Sequence, residues 1–134
     1  MKGSCLCGAV AFEAEPPASG LRIGFCSCPS CRKSHAAPFN AYASVARAGF
    51  RWLRGREQVH SYRSSPGKQR HFCGICGSQL MAEHSDSDTV MLRVALLDED
   101  PGVRPVEHIF RRYVMPWCDW SAPTVAKYDE EPLR

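Results

Sequence analysis

The chain has 134 residues and a net charge of +3, and its composition is ordinary except for eight cysteines and for arginine, which supplies 13 of the 17 basic residues. That length bounds it to one domain, residues 1–134, able to bury a single hydrophobic core. A membrane-spanning helix is excluded, because the most apolar stretch, Val90 to Leu97, is interrupted by Arg93 and falls far short of the roughly 20 residues needed.

Met1-Lys2-Gly3-Ser4-Cys5-Leu6-Cys7 carries no apolar run after its basic residue, so no secretory signal is expected and a cytoplasmic setting is. In a reducing compartment closely spaced cysteines are more often metal ligands than disulfides. Val10, Phe12 and Ala14 alternate with other residues as a half-buried strand does, and Pro16-Pro17 stops it. Leu21 to Phe25 is a second strand leading into Cys26, and Phe39 to Val45 a third. Between them, Pro29 to Ala36 can form a short turn of helix. Val59 to Arg63, Gln69 to Phe72, Gln79 to Glu83 and Thr89 to Leu96 are further strands, separated by turn-forming residues; Asp98 to Arg104 reads as a loop. Strands that recur this often, with little helical periodicity, predict a mostly β fold of antiparallel sheets. The tail after about residue 123 is expected to be loosely packed.

Cys5-x-Cys7-Gly8 and Cys73-x-x-Cys76-Gly77 form two knuckle-like pairs that together offer four thiolates, the commonest shell for a structural zinc. The glycine after each pair allows the tight turn such a knuckle requires. Cys26-Ser27-Cys28-Pro29-Ser30-Cys31 offers three thiolates, which leaves one position of a tetrahedral ion open, as in catalytic zinc. A fourth ligand from Cys118 or a histidine would close that site, and spacing alone also permits the trio to pair with Cys73 and Cys76. Arg32 and Lys33 follow directly and would favour thiolates and attract an anion, which makes them candidate substrate-binding residues. Seven basic residues between Arg47 and Arg70 face only Glu57, which suggests either a solvated hairpin or, with Phe50, Trp52 and Tyr62, contact with nucleic acid or an acidic protein.

The order Gly3-x-Cys5-x-Cys7-Gly8-x-Val10-x-Phe12, Phe25-Cys26-x-Cys28-x-x-Cys31-Arg32-Lys33, Phe72-Cys73-x-x-Cys76-Gly77-Ser78 and His108-Ile109-Phe110 resembles the family of glutathione-dependent formaldehyde-activating enzymes, which also includes centromere protein V. The resemblance implies a β-tent fold, related to methionine sulfoxide reductase B. It implies a structural zinc on Cys5, Cys7, Cys73 and Cys76, and a second, exchangeable zinc on Cys26, Cys28 and Cys31 as the catalytic metal. It implies a carbon–sulfur lyase acting on adducts of glutathione, or a similar thiol, with a small aldehyde such as formaldehyde. The alternative function is a non-catalytic zinc module using the arginine-rich segment, although nucleic acid is not the expected partner. A redox enzyme is a third reading, with Cys118 as its nucleophile. Two positions depart from the pattern: Ser27 stands where the family commonly has His, and Cys118 where an aromatic residue is more usual. His35, His71 and His108 are candidate proton carriers.

Overall fold

The computed structural model describes residues 1–118 together with Ala126, Tyr128 and Asp129. The described residues form ten strands, β1 (Lys2–Ser4), β2 (Ala11–Ala14), β3 (Ile23–Cys26), β4 (Asn40–Ala46), β5 (Phe50–Arg54), β6 (Val59–Ser65), β7 (Lys68–Cys73), β8 (Gln79–His84), β9 (Thr89–Arg93) and β10 (Pro105–Ile109), with one helix, α1 (Pro29–His35). The strands build a small sheet in the order β1-β2-β5 and a large one in the order β10-β3-β4-β9-β8-β7-β6. The mostly β expectation is met in this two-sheet arrangement with its single short helix. No described helix is long and apolar enough to cross a membrane. The expected loose tail lies largely outside the described residues.

The core sits between the sheets. Phe12 and Ala14 of β2 pack against Val45 of β4, Met81 of β8 and Val90 and Leu92 of β9, with Phe50 and Trp52 closing the edge. Side chains alternate across a strand, so the same β9 that turns Val90 and Leu92 to this core turns Met91 and Arg93 to the opposite face. The arginine that breaks the apolar run in the sequence is therefore the residue β9 presents on the face away from the core.

Three strands escape the sequence patterns. β1 is too short to show a period, and β5 lies in the arginine-rich run, where Arg51 and Arg54 mask its alternation. In β5, Arg51 lies opposite Glu13 of β2 and donates from Nε to its carboxylate at 2.9 Å, an exposed cross-strand pair. β10 follows the loop expected over Asp98 to Arg104 and pairs with β3 in parallel, so the large sheet is mixed where the sequence predicts an antiparallel one. Thr89 to Leu96 also proves shorter as a strand, because Val94–Leu96 winds into a single 3-10 turn.

Phe12 is wholly buried and stacks on Phe50 with ring centroids 5.5 Å apart. Phe12→Ala should destabilise the protein by about 3–5 kcal/mol. Urea unfolding of the zinc-loaded protein would show this as a lower midpoint at unchanged slope.

Candidate metal centres and the adjoining cavity

The two cysteine groups come together in space as separate clusters. Sγ atoms of Cys5, Cys7, Cys73 and Cys76 all lie within 4.8 Å of one another, and so do those of Cys26, Cys28 and Cys31. The alternative pairing of the trio with Cys73 and Cys76 is not the one adopted.

In the first cluster Cys5 Sγ is 3.5 Å from Cys7 Sγ, which is 3.9 Å from Cys73 Sγ. Four sulfurs about 2.3 Å from a tetrahedral ion lie about 3.8 Å apart, so these spacings suit a zinc ion without rearrangement. Gly8 and Gly77 take φ values of 75° and 77°, in the left-handed region glycine favours, which lets each knuckle fold back around the sulfurs. Cys5 and Cys73 are buried with Val10 and Leu80, so this cluster is continuous with the apolar interior. Hydrogen bonds from the Ser78 hydroxyl and backbone lower the Cys76 thiol to about 5, giving one ligand that ionises readily.

The second cluster stands where β3 runs into α1. Cys26 ends the strand, Cys28 caps the helix by accepting from Cys31 N–H at 3.4 Å, and Cys31 lies in the first turn. Burial, with the neighbouring thiols next, pushes Cys26 up to about 12. Three thiols this close ionise together only around a cation, and a divalent metal is the chemistry this donor set fits.

Beside the trio opens a cavity of about 260 Å³ on the face of the large sheet away from the core. Its walls include Asn40 and Tyr42 from β4, Lys68 and Arg70 from β7, Arg93 from β9, and Phe110 just past β10. No histidine is among its lining residues, and no fourth metal-ligating side chain of the described residues joins the three sulfurs. Tyr42 Oη donates to Glu107 at 2.7 Å, and burial followed by that carboxylate raises its pKa, so it stays a neutral hydrogen-bonding wall. A larger cleft of about 540 Å³ adjoins this cavity, sharing Ser30, Ser64 and Arg70 with it.

Lys33 lines the larger cleft, whereas Arg32 lines neither space and has a buried Nε with no partner. Arg70 and Arg93, each 4% exposed, are instead the basic residues buried at the trio. Sequence alone groups Arg70 with the surface charges and makes Arg93 only an interruption; the signal available is a charged residue directly after Val90, Met91 and Leu92 in an apolar run.

Ser27, 1% exposed, donates to the Pro38 carbonyl at 3.2 Å and lies 2.8 Å from Nε2 of His108. With its one proton directed at Pro38, Ser27 Oγ receives the Nε2–H of His108. The parallel pairing of β10 with β3 delivers this contact, because His108 sits opposite Phe25, one residue before the cysteine trio begins. His108 thus braces the cysteine loop from behind. His71 does not line this cavity: it bonds Ser61 at 2.7 Å and Glu83 at 2.8 Å on the neighbouring strands. Cys118 carries a backbone hydrogen bond to Met115 and belongs to neither cluster.

The described residues thus form a mostly β protein that sets one four-thiol cluster against the core and one three-thiol cluster against a basic cavity. The chain belongs to the family of glutathione-dependent formaldehyde-activating enzymes, whose sequence model matches residues 1–113. It is 32% identical over 81 residues to an uncharacterized lyase of Schizosaccharomyces pombe, a match spanning 59% of this chain and 54% of that protein. It also resembles a crystal structure of a Rhodobacter sphaeroides protein, with a TM-score of 0.65 and 28% identity over 81% of this chain and 99% of the other.

His35, at the end of α1, has a buried Nε2 with no partner, and burial followed by the charges of Arg93 and Arg70 lowers its pKa from 6.5 to about 4. The unfolded chain takes up this proton first, so stability is full above pH 6.5 and falls as pH drops toward about 4. The acid loss of stability in the wild type should exceed that of His35→Gln by up to about 3 kcal/mol. Urea melts of both proteins at neutral pH and near the lower limit would measure that difference, in which the thiols, common to both, cancel.

Proposed function

We propose that this protein is a zinc-dependent carbon–sulfur lyase acting on adducts of glutathione, or a similar thiol, with a small aldehyde such as formaldehyde. The observation that carries this reading is the cavity beside Cys26, Cys28 and Cys31, three sulfurs joined by no fourth protein ligand among the described residues. Family membership and the lyase name of the yeast relative support the same reaction class.

In this reading Cys5, Cys7, Cys73 and Cys76 hold a structural zinc, and Cys26, Cys28 and Cys31 hold the catalytic one. Zinc bound at the trio supplies a charge that lowers the pKa of an incoming thiol and leaves it nucleophilic at neutral pH. The protein's own groups do the rest. Burial of Cys26 and Cys31 keeps water from that side of the site, and the His108–Ser27–Pro38 hydrogen bonds fix the loop that carries the sulfurs. In the addition direction the sulfur forms a bond to the aldehyde carbon, the carbonyl π pair moves to oxygen, and the thiol proton ends on that oxygen. In the lyase direction the same carbon–sulfur bond breaks and the hydroxyl proton returns to sulfur.

A binding module acting through the arginine-rich run fits less well. Arg47 is paired with Glu83 and Arg51 with Glu13, Arg54 donates to the Gly8 carbonyl at 2.9 Å, and Arg56 lies over the Trp52 ring. Much of the charge on that run is therefore engaged within the molecule.

Native mass spectrometry of the zinc-loaded protein should show two metal ions, one of them released or competed first by excess glutathione. Cys28→Ser should abolish that labile ion and glutathione-dependent formaldehyde turnover while the remaining ion and the fold persist. Cys73→Ser should instead unfold the chain. A single tightly held metal, with the trio indifferent to thiols, would overturn the enzyme reading.

A further inference from the structure

Arg70 and Arg93 remain unexplained by the chemistry above. Both are 4% exposed, both line the cavity of the cysteine trio, and the Nε and Nη1 of Arg70 and the Nε and Nη2 of Arg93 are buried with no hydrogen-bond partner. None of these four nitrogens reaches a sulfur. Buried guanidinium groups are costly unless paired, and two that line one cavity repel each other as well. Groups of this kind are retained where something outside the chain satisfies them.

We infer that Arg70 and Arg93 form a carboxylate-binding subsite beside the cysteine trio, so that the site selects thiols that carry their own carboxylate. The inference rests on the reading of Cys26, Cys28 and Cys31 as a thiol-accepting metal site. Arg93 leaves Nε–H and Nη2–H unpaired, the two donors on one edge that match the two oxygens of a carboxylate, whereas the unpaired Nε and Nη1 of Arg70 lie on different edges and offer single contacts; such planar recognition is what arginine provides and lysine does not.

Charge points to the same ligand: the buried Arg70 and Arg93 and the half-buried Lys68 make the walls beside the sulfurs basic, and no acidic side chain of the described residues lines the cavity with them. The size is also suitable: about 260 Å³ admits a thiol and a carboxylate a few bonds apart, and the remainder of a longer molecule can continue past Arg70 into the adjoining cleft, where Lys33, Tyr62 and Phe72 stand. Arg32 has no place on this path, so the arginines that recognise the substrate come from β7 and β9 and not from the helix after the trio.

The test is calorimetric titration of the zinc-loaded protein with 3-mercaptopropionate, 3-mercaptopropan-1-ol and propionate. The two thiols have the same reach and differ in the charged end group. The thiol acid should bind about tenfold or more tighter than the thiol alcohol, the span expected of one charge-assisted contact. Arg93→Lys, which keeps the charge and loses the fork, should reduce that preference by several fold, and Arg70→Lys by less, while zinc content and circular dichroism stay unchanged. Equal binding of the two thiols to the wild type overturns the carboxylate subsite and leaves the metal–thiol reading standing. Failure of both thiols to bind overturns the two together, and binding of propionate alone does not rescue either. Because the wild-type comparison is decisive by itself, a variant that fails to fold leaves the test intact.

Discussion

Like charges crowded into small spaces are the constraint on which this molecule turns. Seven cysteine sulfurs are gathered into two groups in which every member lies within 4.8 Å of its neighbours, and ionised thiols at that distance repel strongly unless a cation stands among them. At the four-sulfur site Cys5 and Cys73 are packed with Val10 and Leu80, so an ion held there would join the chain's first residues to the end of β7. At the three-sulfur site the sulfurs border open space, and the other walls are basic. The same donor type thus stands in two settings, which differ in ligand count and in what surrounds the sulfurs.

Much of this is legible in the chain. Spacing and adjacent glycines identify the knuckles, because a tight turn around a metal leaves a local mark at Gly8 and Gly77. Strands β2, β3, β4 and β6 to β9 follow from alternation and turn residues, although their ends shift by a residue or more. What is not legible depends on distant parts of the chain. β10 has few apolar residues turned inward and becomes a strand only by pairing with β3, roughly eighty positions earlier, so its parallel direction leaves no trace in local pattern. Arg70 and Arg93 look like any other arginines until register shows that their strands turn them to the cavity face. Arg32 and Lys33 show the converse: adjacency to the trio in sequence suggests the substrate, yet the helix carries Arg32 away from both cavities.

The arginine-rich segment shows how a charge excess in one stretch can be absorbed by the whole. Glu57 is its sole acidic member, but Glu13 and Glu83 come from elsewhere to meet Arg51 and Arg47. Such exposed pairs add little stability one by one. Their effect is on what the surface offers to others, since a guanidinium already held by a carboxylate is a poorer partner for an external anion.

The joining of β10 to β3 also bears on the order in which the molecule can be made. The core between the sheets uses residues that end with Leu97, whereas the cavity gains Ile109 and Phe110, and the cysteine loop gains its His108 brace, only from the strand that follows. On a ribosome, the packed interior can therefore mature while the cavity beside the trio still lacks a wall. Such a nascent chain already carries the four-sulfur cluster but would leave the trio of sulfurs open to the surrounding thiol pool until β10 docks.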